Sequence, residues 1–199
     1  MNNLFKKSIK KYQETQELVY GVQRLSNKIR AQSKKVIALL RRENIKESKK
    51  TIKEAEEFFK LINKIIGRNK DLLNQFFYKE AVEEYIEAIT FCNFLIKPPH
   101  QYIGSGGKPT KKIPDFIKVR PEEIISGTCD FTGELVRRAI TIASPENLKE
   151  LVLYRKTVEN IAQELTKIGF RGKLRQKYDE VERNLRKIEE ILYDIKVKR

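Results

Sequence analysis

Tryptophan is absent from this chain, histidine occurs once, cysteine twice, proline six times and glycine nine times in 199 residues. Each shortage closes off a class of structure or chemistry. So few breakers leave too few turns for a sheet protein of this length and suit an all-α one. Two thiols, Cys92 and Cys129, neither staple a domain of this size nor form a metal-binding spacing. They read as free, buried cysteines of a reducing, cytoplasmic compartment. A lone histidine, His100, excludes a di-iron bundle, which draws Glu-x-x-His motifs from its helices. The longest uncharged stretch near the middle, Ala88 to Ile96, is nine residues, far short of a membrane span. The opening segment, MNNLFKKSIKKY, is basic with no apolar run behind it, so no secretory signal is expected.

Positive charge is what the chain has in surplus. Its formal net charge is +15, and the surplus is local: residues 1–70 carry 19 Lys or Arg against 7 Glu, the rest 23 against 20 acids. A composition adapted to heat would multiply charges of both signs, which does not explain a local excess. A polyanionic partner is the first reading and an anionic membrane surface the second. Placed on a helix, Lys28, Lys35 and Arg42 fall within about 40° of Arg24. That straight cationic seam suits sequence-blind contact with phosphates, or it is simply a solvated face. Tyr20 lies beside Arg24, placed either to stack on a base or to pack between helices.

Helical periodicity runs almost without pause. Leu18, Val22, Leu25, Ile29, Val36 and Leu40 define one face of a first helix over Leu4 to Asn44. A second covers Lys46 to Ile66 and stops at Gly67. A third, Asp71 to Ile96, ends at Lys97-Pro98-Pro99, since proline disfavours a helical residue before it. His100 to Arg120 reads as an irregular connection whose Gly104 to Pro109 core lacks the rest of a phosphate-binding P-loop. Pro121 with Glu122 and Glu123 opens a fourth helix, and Ser144 caps a fifth at Ser144-Pro145-Glu146. Gly169 and Gly172 bracket a break before a last helix, Lys173 to Val197. The expectation is one domain over residues 1–199, an all-α bundle of six to seven long helices.

Four carboxylates stand out against this frame. Glu84 and Glu87, three apart, share a face of the third helix with Glu83 and with Leu73, Phe76, Phe77, Phe91, Phe94 and Leu95. Acids in an apolar stripe are costly to bury unless protonated, paired with Lys or Arg, or bound to a metal. Asp130 and Glu134, four apart, share a face of the fourth helix. Gly127 and Gly133 beside them imply a partner helix passing close, because glycine costs a helix about 1 kcal/mol. If the two helices meet here, four oxygen donors converge, a set suited to Mg²⁺ or Mn²⁺ rather than Zn²⁺. Arg137 and Arg138, one turn beyond Glu134, offer a plain ion-pair alternative. Helical nucleotide pyrophosphatases use a similar Glu-x-x-Glu, but with a Glu-x-x-Asp partner in place of the Asp-x-x-x-Glu seen here.

These segments resemble a known family. EEYIEAITF (Glu83 to Phe91) and DFTGELVRRAI (Asp130 to Ile140) look like the two signature helices of the translin superfamily, closest to its translin-associated factor X (TRAX) branch. RLSNKIRAQSKKVIALLRR (Arg24 to Arg42) is similar to the first long helix of that branch, and ERNLRKIEEILYDIKVKR (Glu182 to Arg199) to its last. The short central connection and the lack of a tail beyond Arg199 resemble a minimal, archaeal-like version. The resemblance implies seven helices and a closed, roughly octameric shell around nucleic acid. The expected oligomer is a homo-oligomer, with a second translin-like subunit as the variant. It further implies a Mg²⁺-dependent endoribonuclease whose acids, carried over onto Glu84, Glu87, Asp130 and Glu134, hold the metal and do the catalysis. Arg24, Lys28, Lys35 and Arg42 would then bind the nucleic acid, RNA and also single-stranded DNA. The alternatives are a non-catalytic, translin-like binder of single strands and a helical nucleotide pyrophosphatase. No membrane partner is expected.

Overall fold

The computed structural model describes residues 3–67, 69–96 and 112–197, and its order of elements is all helical. Six α-helices occur among the described residues: α1 (Asn3–Arg41), α2 (Ile45–Ile66), α3 (Phe76–Ile96), α4 (Pro121–Thr141), α5 (Leu148–Thr166) and α6 (Gly172–Val197). Two short 3-10 turns, Lys70–Asn74 and Pro145–Asn147, precede α3 and α5. His100 and the Gly104 to Pro109 core of the central connection lie outside the described residues, as do the prolines expected to end the third helix.

α1 is the spine. Its 39 residues extend about 58 Å. The face anticipated from periodicity is buried, with Val22, Leu25, Ile29, Val36 and Leu40 all in the core. α1 ends three residues earlier than periodicity suggests, because Glu43 adopts a left-handed φ of 60°. The Asn44 carboxamide then accepts from the Glu47 amide at 3.2 Å and caps α2. α2 folds back antiparallel along α1: the Lys28 ammonium lies over the Phe58 ring, and Gly21 faces Ile65. Gly67 closes α2 as expected, with φ at 50° and its amide bonded to the Asn63 carbonyl.

α3 lies between α1 and α4, and α4 packs in turn on α6, which also carries α5. Arg30–Glu80 and Lys34–Glu84 ascend together along α1 and α3, so these helices run parallel. α3 and α4 join through Phe91 and Phe94, both buried against Phe131. Pro121 opens α4, and the Arg120 amide donates to the Glu123 carboxylate at 2.6 Å.

Two further boundaries differ from the sequence reading. Gln75 is extended, with ψ at 137°, and splits the expected third helix, so Leu73 sits on a 3-10 turn and not on the face of Glu84. Phe76, at the start of α3, is 65% accessible, whereas Phe77 beside it is buried in the core, so only part of the stripe's amino-terminal end is enclosed. Ser144 makes no capping bond to an amide; the turn 145–147 intervenes, and Asn147 instead donates to the Ile142 carbonyl and the Ser144 hydroxyl.

Candidate metal and nucleic-acid site

Glu84, Glu87, Asp130 and Glu134 all line one cavity of about 520 Å³, together with Lys34, Ile37 and Arg41 of α1, Gly133 and Arg137 of α4, and Glu180 of α6. α3 and α4 can bring their acids together because Gly127 admits the α3 backbone, where any side chain would clash with the Glu83 carbonyl and Ile86. Gly133 has a different role: its nearest neighbour across the gap is the Asn184 carboxamide of α6, at ordinary contact distance. It leaves the cavity wall open between Asp130 and Glu134.

Cations hold three of the four acids. Lys34 Nζ is 3.4 Å from Glu84 Oε1. Lys177 of α6 donates to Asp130 Oδ1. Arg41 donates twice to Glu134, Nε to Oε2 and Nη2 to Oε1, each at 2.7 Å. Hydrogen bonding to Glu134 holds the Arg41 pKa above its ordinary value, against the opposing effect of burial. Arg137, expected as the partner of Glu134, stands further off at 3.7 Å from Oε1. Arg138 turns away to Glu43, Glu150 and Tyr154, where it ties α4 to α5 and to the α1–α2 corner.

Glu87 differs from the rest. It makes no ion pair with any described residue. Burial, then the neighbouring charges of Asp130, Glu134 and Glu84, push its pKa up to about 8, with Lys177 opposing. The charge count adds to the effect of burial. Five acids (the four above and Glu180) face four cations, Lys34, Arg41, Arg137 and Lys177. A proton on Glu87 balances them.

That proton occupies the role a hard cation would take. All the acidic donors in the cavity are oxygens, so the donor chemistry suits Mg²⁺ or Mn²⁺ and not Zn²⁺. Among the described residues, however, no three acids stand close enough together to hold one metal ion. The lysines keep Glu84 and Asp130 in ion pairs instead.

The cationic seam lies elsewhere on α1. Arg24, Lys28, Lys35 and Arg42 are all exposed, about a quarter-turn away from Lys34 and Arg41. Tyr20 is exposed beside them. The cations that meet the acids, Lys34, Arg41 and Lys177, were not singled out by the sequence reading. Arg41 and Glu134 are 93 residues apart and Lys177 and Asp130 are 47 apart, so no local spacing could connect them. Cys92 and Cys129 are free and buried, and burial pushes the Cys129 thiol up to about 12. None of the described helices is long and apolar enough to cross a membrane.

Comparison with known proteins finds relatives of the chain and of its fold. The chain is 26% identical over 201 residues to the translin-associated protein X homolog of Schizosaccharomyces pombe, covering 91% of this chain and 82% of the relative. Its fold matches that of AfC3PO in complex with duplex RNA, with a TM-score of 0.81 at 22% identity, over 98% of this chain and 97% of that one. AfC3PO in a separate crystal structure gives 0.80 at 22% identity, over 98% of both chains. Crystalline apo-NeC3PO gives 0.76 at 20% identity, over 97% of both. The Translin family model matches residues 21–199. With nearly its whole length accounted for by that model, this chain belongs to the translin family.

Proposed function

We propose that this chain is a metal-dependent endoribonuclease that cuts RNA, and also single-stranded DNA, inside a homo-oligomeric shell of about eight copies. The observation that carries the reading is the shared cavity. Four acids from two helices converge there, and one of them, Glu87, holds a proton to about pH 8. A protein that only bound polyanions would gain nothing from gathering acids where phosphates approach. Family membership and the duplex RNA bound to AfC3PO support an RNA partner.

Glu84, Glu87 and Asp130 would hold Mg²⁺ only after closing up as Lys34 and Lys177 give way, since among the described residues they do not stand at ligand spacing; when bound, the ion neutralises phosphate charge and makes a water more acidic. The remaining work falls to the chain's own groups. Glu87, which keeps its proton to about pH 8 in the metal-free site, must release that proton to serve as a donor, so binding the ion would be coupled to proton loss. Lys34 and Lys177, displaced from Glu84 and Asp130, remain beside the phosphate as counter-charges. The exposed seam of Arg24, Lys28, Lys35 and Arg42 would contact the strand outside the cavity.

A second reading has its own observation. Glu84, Asp130 and Glu134 are each paired with a cation, and no three acids stand at ligand spacing among the described residues. That is what a non-catalytic binder would show. Incubating the purified chain with labelled single-stranded RNA, with Mg²⁺ or with EDTA, separates the two. Mg²⁺-dependent fragments support the nuclease, and intact RNA that stays bound supports the binder.

A further inference from the structure

Glu134 is the acid of the cavity with both oxygens engaged. Arg41 takes both of its oxygens, each at 2.7 Å, and Arg137 approaches the same Oε1. The Glu134 side chain is 6% exposed, and Arg41 covers it. A two-point guanidinium–carboxylate fork is among the strongest ion-pair geometries, and opening a buried one is costly. By contrast, Lys34 and Lys177 are point charges, each on a single oxygen of Glu84 and Asp130. They can exchange partners without breaking a fork.

The fork also fixes Arg41. It spends two of the guanidinium's five N–H donors on Glu134. Nη1 has no hydrogen-bond partner among the described residues, although the side chain lines the cavity and is 40% exposed. A planar cation thus stands on the cavity wall in one orientation, with donors left over.

We propose that Glu134 is a positioning residue, not a metal ligand, and that the Arg41 it holds is the cation that contacts the phosphate in the cavity. The proposal rests on the nuclease reading above, and it leaves Glu84, Glu87 and Asp130 as the metal's donors.

Two measurements test it without reference to cleavage. In the first, Mn²⁺ alone is titrated into wild type, Asp130→Asn, Glu134→Gln and the charge-balanced Arg41→Gln/Glu134→Gln double variant. The expected result is a loss of about thirtyfold or more for Asp130→Asn and a change within about threefold for the double variant, as ligand number sets affinity. A double variant as impaired as Asp130→Asn would make Glu134 a ligand and overturn the proposal. In the second, single-stranded RNA is bound in EDTA across a range of salt. Arg41→Gln should weaken binding and lower the salt slope by about 0.7, one phosphate contact, and adding Glu134→Gln should change little more. An unchanged slope would reduce Arg41 to a buttress. Arg41→Lys guards against misfolding. It keeps the charge, yet one ammonium cannot hold Glu134 at two points and also reach a phosphate. Wild-type RNA affinity in that variant would likewise overturn the proposal. Failure of wild type to bind Mn²⁺ would defeat the nuclease reading instead, and the slope in EDTA would still decide the role of Arg41.

Discussion

Gly127 of α4 touches the backbone of α3 at Glu83. A Cβ at position 127 would stand 2.6 Å from the Glu83 carbonyl oxygen and 2.7 Å from the Ile86 Cβ. Both atoms belong to or adjoin a rigid helix, so neither can yield without moving α3. This contact sets the separation of the two acid-bearing helices.

Gly127→Ala should therefore destabilise the chain. Alanine favours a helix over glycine by about 1 kcal/mol, but overpacking against immovable atoms costs more, and a net loss of about 1–3 kcal/mol is expected. Thermal melting would show a fall of several degrees. A raised melting temperature would mean that α3 and α4 can separate freely.

Glu87 should make stability depend on pH in an unusual direction for a carboxylate. Folded, it keeps its proton up to about pH 8; its unperturbed value is 4.5. Between those values the folded state binds more protons than the unfolded one, so stability falls as pH rises and levels off above about 8. Glu87→Gln should abolish this contribution. Urea unfolding at pH 5, 7 and 9 should find the variant gaining on wild type at each step. Parallel profiles would mean that Glu87 is ionised throughout.

Asp130→Asn should lower cleavage by orders of magnitude while RNA affinity stays level or rises. It also strands the ammonium of Lys177, which is only 20% exposed, at a cost of about 1–2 kcal/mol. Replacing Lys177 with Met in the same chain should restore stability but not cleavage. Mg²⁺ should raise the melting temperature of wild type more than that of Asp130→Asn, since a ligand of the folded state stabilises it. Full cleavage by Asp130→Asn would return these acids to the status of an ion-pair network.

Local signals carried the sequence reading as far as local chemistry reaches. The α1 face was legible because its apolar residues repeat at helical period, and Gly67 and Pro121 because termini need particular residues. The break at Gln75 was not, because the pattern on either side of it continues in helical phase. The four acids could be grouped since each pair lies on one helix. Their partners could not. Arg137 was the nearby candidate for Glu134, yet Arg41 takes that place from the far end of α1, by a contact that only the packed helices create.

The seam on α1 should govern affinity without choosing sequences. Lys28→Glu with Lys35→Glu should weaken binding of all single strands alike and lower the salt slope by about 0.7 for each phosphate released. Lys28 also covers the Phe58 ring, so a modest loss of stability should accompany the change. An unaltered slope would leave the seam to solvent.

Light scattering should report a mass near eight chains if the site is enclosed in a shell. Leu4, Phe5, Tyr12 and Tyr20 on the early turns of α1 are all more than half exposed, which a lone chain would leave in water at some cost. A clean monomer at micromolar concentration would sink the enclosed model.

The lysine that steadies Asp130 comes from α6, the last helix in chain order, as does Lys173, which binds Glu83. On the ribosome, α3 and α4 emerge before either lysine has been added. Until the ribosome reaches residue 177, the clustered acids have only α1 and α4 cations to oppose their mutual repulsion. Arg41, made long before α4, is then the sole long-range anchor for α4's carboxylates, so the order of synthesis gives the Arg41–Glu134 pair the task of holding that side of the pocket until Lys177 arrives.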